Sequence, residues 1–304
     1  MDDKKQNIDT IKQDNDIKTQ NIDTIKQDNN IKTQNIDAII QDNDIKTQNL
    51  QYDMYKEYNL KKSKRANGML VEVEGEGEKC IIICPGGAYY FVSPTEAMPI
   101  AEEFKARGYK CYILYYSVNF SHFPTQFEEL ACAIDFVKKK EHKPVGLVGF
   151  SAGGHLVASV SVLNDKIDNL SNKIKTYKKT KSFDCLPSFA VLCYPVISYK
   201  KELRHIGSYY CLCGINRKLK QYLSLENQVT KNTCPCFIWH TKTDTCVNYQ
   251  NSIVFKNALD KQNIINELAI FPTGEHGLAL GNDTAPEVKQ WPELADNFIK
   301  KLKL

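Results

Sequence analysis

One short stretch constrains the fold more than any other. Val145-Gly146-Leu147-Val148 runs directly into Gly149-Phe150-Ser151-Ala152-Gly153, and Gly154 to Leu163 follows. An apolar run, a turn of small residues and a helical stretch read as buried strand, sharp turn and helix. A serine on such a turn sits in a strained backbone, so its neighbours two positions away must be small, and its hydroxyl stands near a helix N-terminus. Gly149 and Gly153 meet that requirement. The competing reading is a glycine-rich turn with a capping serine.

A strand that enters a helix in this way needs parallel neighbours, and the sequence from about Leu50 supplies them. Short β-branched runs alternate with amphipathic stretches. Strands are expected at Met69 to Val73, Cys80 to Cys84, Lys110 to Tyr115, Val145 to Phe150, Phe189 to Tyr194, Cys236 to His240 and Glu267 to Phe271. Helices are expected at Pro99 to Arg107, Gln126 to Lys139, Gly153 to Leu163, Gln250 to Lys261 and Ala285 to Leu302. The fold class is therefore α/β, a mostly parallel central sheet flanked by helices. Two connections interrupt the alternation: Asp165 to Lys181, rich in lysine and read as a solvated loop, and an insertion from Ser198 to Asn232 that stands where a small cap would lie. With 304 residues, 42% of them hydrophobic, the chain is long enough for one such domain, which reaches about 250 residues, plus an appendage.

The appendage is residues 1–49. Gln6 to Thr19 recurs from Gln20 and again from Gln34, a tandem repeat of period 14 without Gly, Pro, Cys or aromatic residues. Seven lysines against ten aspartates give it a charge of −3. Two heptads invite a coiled coil, but at 100° per residue Ile17 lies opposite Ile8, so no continuous seam forms. A disordered or fraying helical tail is expected, with a weak oligomerisation stalk as the alternative. The α/β domain is placed at residues 50–304, with a possible small cap at 198–232.

Composition excludes several function classes. No apolar run approaches the roughly 18 residues of a membrane helix, and Met1-Asp2-Asp3-Lys4-Lys5 opens no secretory signal. The chain reads as cytoplasmic. A net charge of +4 calls for neither a nucleic acid nor an anionic membrane. The 11 cysteines read as reduced thiols. Cys211-Leu212-Cys213 and Cys234-Pro235-Cys236 have one intervening residue where structural zinc sites have two to four, so no metal is expected. G-x-G-x-x-G and G-K-[ST] are both absent, which argues against dinucleotide and P-loop sites. No cofactor is expected.

A nucleophilic serine needs a base, an acid and oxyanion donors. His276, in Gly274-Glu275-His276-Gly277 after the last strand, lies at the carboxyl end where ligands bind in open α/β sheets. His155 starts one turn beyond Ser151 and is read as structural; His240, His122, His142 and His205 are read as packing or surface residues. Asp244 follows the strand before His276, whereas Asp260 falls in a helix, Asp283 lies past the histidine and Glu275 points elsewhere. For the oxyanion, Pro85-Gly86-Gly87-Ala88-Tyr89 follows the second strand, and the amides of Gly86, Gly87 and Ala152 are the candidate donors. Tyr89 and Tyr90 beside this loop, with the Tyr-rich insertion, are expected to bind substrate and restrict the pocket to small acyl groups.

From about Lys79 onward the chain resembles the α/β-hydrolase esterases of the acetylesterase and acetyl-xylan-esterase-like group. The resemblance rests on Pro85 to Tyr89, Gly149 to Leu156, Leu192 to Ile197, Trp239 to Asp244 and His276 to Leu278. It implies Ser151 as nucleophile, Asp244 as orienting acid, His276 as base, and Gly86, Gly87 and Ala152 as backbone donors. Val247-Asn248 stands where many relatives have Val-Pro, and Ala88 where they have a third glycine. The resemblance implies hydrolysis of a short-chain carboxylic ester, acetyl foremost, of acetylated sugars or small esters. Similar hydrolases cleave formamides and peptides, and a non-catalytic hydrolase-like binding protein is the rival from another class.

Overall fold

The computed structural model describes residues 50–304 apart from 61, 63, 64 and 180; the expectations for the repeat tail lie outside the described residues. Among the described residues one sheet is built from Leu50–Asp53 (β1), Met69–Glu72 (β2), Lys79–Cys84 (β3), Tyr109–Tyr115 (β4), Val145–Phe150 (β5), Ala190–Cys193 (β6), Cys236–Thr241 (β7) and Asn266–Phe271 (β8). Their spatial order is β1-β2-β4-β3-β5-β6-β7-β8. β2 runs antiparallel to β1 and β4, and all other neighbours are parallel. The helices are Met54–Glu57 (α1), Met98–Ala106 (α2), Thr125–Glu141 (α3), Ala152–Leu163 (α4), Ile167–Leu170 (α5), Asn172–Lys178 (α6), Ile206–Cys213 (α7), Arg217–Tyr222 (α8), Gln250–Lys261 (α9) and Trp291–Lys301 (α10).

Parallel strands covered by helices on both faces need apolar side chains in both directions, which is why these runs are continuous rather than alternating. Every residue of β5, and every residue of β3 after Lys79, is buried. Cys80, Ile82, Cys84, Leu147 and Leu192 join Leu130 and Ile134 of α3 and Val157 and Val160 of α4 in one cluster. On the opposite face Phe150 packs against Trp291 of α10, which in turn touches Phe104 of α2 and stacks on Trp239 of β7 at 5.5 Å. The stripe Trp291, Ala295, Phe298 and Ile299 is what seats α10 there. Truncating a buried aromatic of this kind costs about 3–5 kcal/mol.

The register explains where chemistry can occur. Cys84 pairs with Gly149, Phe150 with Cys193, Cys193 with Trp239 and Thr241 with Phe271. The carboxyl ends of β3, β5, β6, β7 and β8 thus form one row. The strand order reverses at β3, whose neighbours are β4 and β5, and ligands of open α/β sheets bind beside such a switch point.

Two regions differ from the sequence expectation. Residues 165–181 carry α5 and α6 where a solvated loop was expected, because Ile167, Ser171 and Ile174 are buried, Ser171 Oγ donates to Glu128 at 2.7 Å and Lys173 pairs with the same carboxylate at 2.8 Å. Lys175, Lys179 and Lys181 are exposed, whereas Lys173 reaches inward to Glu128. Strand β1 was not expected either; its four residues bury little, and it is held from outside by pairing with β2, by Tyr52 Oη donating to Glu72 and by the Phe136 ring. The insertion at 198–232 carries α7 and α8, anchored by the Tyr209 hydroxyl on the carbonyls of Ile197 and Leu223. All eleven cysteines are free thiols, ten of them buried.

Candidate active site

Ser151 joins β5 to α4 with φ 51° and ψ −114°. That conformation is costly for a residue with a Cβ, and it persists only where the surroundings fix it. They do so here through packing on both sides. A Cβ on Gly153 would lie 2.1 Å from the Cys84 carbonyl oxygen and one on Gly149 would lie 2.5 Å from that of Gly153, so the turn closes only with glycine at these positions. The Ser151 amide donates to the Cys193 carbonyl at 2.9 Å, which ties the turn to β6.

Ser151 Oγ lies 2.8 Å from His276 Nε2, and His276 Nδ1 lies 2.7 Å from Asp244 Oδ2. An ionised carboxylate only accepts, so Nδ1 carries the imidazole proton and Nε2 is left to accept from the serine hydroxyl. Asp244 is buried. Burial alone would raise its pKa, but hydrogen bonds from His240 and His276, the charge His276 can carry and the Val247 amide together hold it well below the usual carboxylate range. The amides of Cys246 and Val247 donate to Oδ1 at 2.9 and 2.8 Å, fixing the plane in which Oδ2 meets the histidine. The ring of His276 stands edge-on to Tyr194, 4.9 Å between centroids. The structure therefore brings together residues 125 positions apart in the chain, a chain of hydrogen bonds able to take a proton from Ser151 as it attacks and to hold the resulting imidazolium.

The oxyanion loop requires one change to the expected assignment. The Gly86 N–H donates to Glu96 Oε2 at 2.7 Å, so it is committed elsewhere and is not a free oxyanion donor. Gly86 serves by being small: a Cβ there would stand 3.1 Å from the Ser151 Cβ. Gly87 and Ala152, the latter at the first position of α4, remain as candidate donors. Ala88, in place of a third glycine, adopts φ 56°.

Tyr89 is a second correction. It is 1% exposed, and its hydroxyl lies 2.9 Å from His155 Nδ1, so it packs beneath the loop and does not face a substrate. His155 Nε2 lies 3.0 Å from the Leu223 carbonyl. Burial pushes this histidine down to about 4, against a raising effect of the Leu223 bond; it is neutral, donating from Nε2 and accepting from Tyr89. Tyr90 is half-buried against Phe120, which also touches Tyr210 of α7.

Three participants were not singled out from the sequence. His240, fully buried at the end of β7, has Nε2 3.2 Å from Asp244 Oδ2 and 2.9 Å from the Val247 carbonyl, and Nδ1 2.8 Å from Ser252 Oγ. Facing two acceptors, its Nε2 carries a proton that reinforces the carboxylate from behind. His205, read as a packing or surface residue, caps α7 by accepting the Ser208 amide. Burial and then the charge of His276 push it down to about 4, against the opposite pull of Asp244. Glu96 is the third.

A family model, BD-FAE, matches residues 69–259, more than half of the chain. The chain belongs to the BD-FAE family. Its sheet and flanking helices are the α/β-hydrolase fold; the BD-FAE match includes Ser151 and Asp244 and ends before His276. Among solved structures, the acetyl ester-xyloside bifunctional hydrolase of Caldicellulosiruptor lactoaceticus is 34% identical with a TM-score of 0.68, over 78% of this chain and 89% of that one. Endo-1,4-beta-xylanase B of Butyrivibrio fibrisolvens is 32% identical over 67% of this chain and 33% of its own length. The acetylxylan esterase of Xylanibacter ruminicola is 25% identical over 73% of this chain and 46% of its own. The BD-FAE chain thus aligns with between a third and a half of these two curated relatives. No helix among the described residues is long and apolar enough to cross a membrane.

Proposed function

We propose that the protein hydrolyses short-chain carboxylic esters, acetyl esters of sugars foremost, through an acyl-enzyme on Ser151. The observation that carries this reading is the hydrogen-bonded line from Ser151 through His276 to Asp244, set on the strained turn after β5. Ser151 Oγ attacks the ester carbonyl as His276 Nε2 takes its proton; the tetrahedral oxyanion meets the amides of Gly87 and Ala152. His276 then returns the proton to the departing alkoxide, and the acyl group stays on Ser151. A water deprotonated by His276 releases the carboxylic acid and restores the serine. No step uses a metal or an organic cofactor.

The substrate class rests on two supports. Relatives are named for acetylxylan and acetyl ester-xyloside hydrolysis. Close to the oxyanion loop, Tyr90, Phe120 and Tyr210 stand in edge contact, with ring centroids 6.3 and 5.9 Å apart, and α7 and α8 of the 198–232 insertion act in this reading as a small cap over the acyl end. The test is kcat/KM across acetyl, butyryl and octanoyl esters of one alcohol, acetylated xylo-oligosaccharides and a matched anilide. Acetyl to butyryl should lead and octanoyl should trail. One methylene is worth only about 1–3 kcal/mol in an apolar pocket, so the whole series has to be compared. A maximum at octanoyl, or faster turnover of the anilide, would overturn the assignment.

A further inference from the structure

Glu96 ends the short 3-10 turn Pro94–Glu96 that follows the oxyanion loop, and it is 3% exposed. Its two oxygens go to different parts of the row of strand ends. Oε2 accepts the Gly86 N–H at 2.7 Å, and Oε1 accepts the Tyr194 hydroxyl at 2.6 Å. The Tyr194 oxygen in turn accepts the Ala279 amide at 3.1 Å, three residues past His276, while the Tyr194 ring packs edge-on to the His276 imidazole. Tyr194 itself is held at φ 38°, its amide on the Trp239 carbonyl. One carboxylate therefore ties the loops after β3, β6 and β8 to each other.

A neutral acceptor would satisfy the same two donors at lower desolvation cost, since burying a charge is expensive even when it is hydrogen-bonded. What the carboxylate adds is a field. His276 carries positive charge while it holds the serine proton, and the groups that bear on it are Asp244 at Nδ1, Ser151 at Nε2, the Tyr194 ring, neutral His205 and Glu96. Burial raises the Glu96 pKa, against the pull of Tyr194, Gly86, the charge of His276 and Ser93; both of its oxygens accept, one from the Gly86 N–H and one from the Tyr194 hydroxyl, which is the pattern of an ionised carboxylate.

We propose that Glu96 is a positioning residue of acyl transfer: through Gly86 it fixes the oxyanion loop against Ser151, and through Tyr194 and its charge it orients and stabilises the imidazolium of His276. This rests on the reading of Ser151, His276 and Asp244 given above. The test compares the full-length protein with its Glu96→Gln, Glu96→Ala and Tyr194→Phe variants, using an activated acetyl ester over a range of pH together with melting temperatures. A displaced oxyanion donor costs less than a deleted one, which is worth about 10²–10³ in kcat. Glu96→Gln should therefore lower kcat by about 10- to 100-fold with KM within about twofold. It should also move the acid limb of kcat/KM to lower pH by about half a unit, because a negative charge facing His276 is gone. Tyr194→Phe, which keeps that charge, should lower kcat while leaving the acid limb in place.

Wild-type kcat with an unmoved limb in Glu96→Gln would overturn the proposal, and so would a fall in kcat that tracks melting temperature with no movement of the limb. Should Glu96→Ala fail to fold, the Gln and Phe variants decide. If the unmodified protein shows no turnover that depends on Ser151, the underlying reading and this proposal fall together; if turnover depends on Ser151 and ignores Glu96, only this proposal falls.

Discussion

The two ends of the sheet solve the same physical problem and obtain different results. At the antiparallel end, Glu129 of α3 is buried and accepts from Tyr55 Oη at 2.7 Å, the Gly68 amide at 3.2 Å, the Ser117 amide at 2.7 Å and the Ser117 hydroxyl. At the parallel end, Asp244 is buried and accepts from two amides and two imidazoles. Both carboxylates are satisfied, as buried charges must be. They differ in what their partners can do. The donors on Glu129 are amides and hydroxyls that are fixed once the chain folds, so the site holds the segment before β2 and the turn after β4 to α3 and goes no further. On Asp244, His276 has a second nitrogen that remains free to exchange a proton with Ser151. The parallel connectivity makes the difference, because it aligns five strand ends in one row where loops of different origin meet.

If that contrast is right, equivalent substitutions at the two ends should give opposite phenotypes. Asp244→Asn removes the charge behind His276 and should lower kcat by about 10⁴-fold, the scale expected when a histidine loses its orienting carboxylate, while the protein stays folded by circular dichroism. An unchanged rate would break the comparison at its catalytic end. Glu129→Ala should do the reverse. It strands several buried donors at about 1–3 kcal/mol for an unsatisfied group, so denaturant unfolding should show a loss of at least about 2 kcal/mol. Activity of the molecules that remain folded should be retained within about threefold.

A smaller effect is expected one bond further back. His240→Leu removes an N–H donor from Asp244, leaving its charge less shared and the imidazolium on His276 more favoured. Because the reaction needs neutral imidazole, the acid limb of kcat/KM should move to higher pH, by about half a unit, with kcat reduced. His240→Gln, which can present an N–H in nearly the same place, should leave the limb closer to wild type. The sign is opposite to that expected for Glu96→Gln, so the two profiles together distinguish a lost donor behind the acid from a lost charge beside the base. The smallest effect is at the loop: Ala88 sits at φ 56°, a conformation costing roughly 1–2 kcal/mol with a Cβ. Ala88→Gly should raise the unfolding free energy by up to about 1 kcal/mol, part of the gain being returned as unfolded-state entropy. A loss of stability would show that the alanine methyl packs usefully.

How much of this was legible in the sequence follows from the range of the interactions. The parallel strands announced themselves because burial on both faces demands unbroken apolar runs, and the turn at Ser151 because two glycines are required within five residues. Strand β1 was not legible: Leu50, Gln51, Tyr52 and Asp53 carry no pattern of their own and are strands only because β2 offers an edge and Glu72 a partner for Tyr52. Lysine spacing misled over 165–181, where Ile167 and Ile174, seven positions apart, are the informative residues. At the site, His240 and Glu96 act through bonds that cross between strand ends, and no local signal marks them. The Gly86 assignment changed for the same reason, since only the fold brings Glu96 to its amide. Tyr89 was placed by proximity in sequence to the oxyanion loop, whereas its hydroxyl finds His155 inside the core.

The central claim is that Ser151 is a nucleophile activated by His276, and covalent capture tests it most directly. Treating the protein with a fluorophosphonate and mapping the adduct by peptide mass spectrometry should place one label on Ser151, with loss of ester turnover in proportion to labelling. Ser151→Ala should take up no label and lose activity by several orders of magnitude, on the scale of about 10⁴–10⁶ seen when an activated serine is removed. His276→Ala should slow labelling while leaving its site unchanged. A label on another serine, or ester turnover in Ser151→Ala near the wild-type rate, would contradict the account.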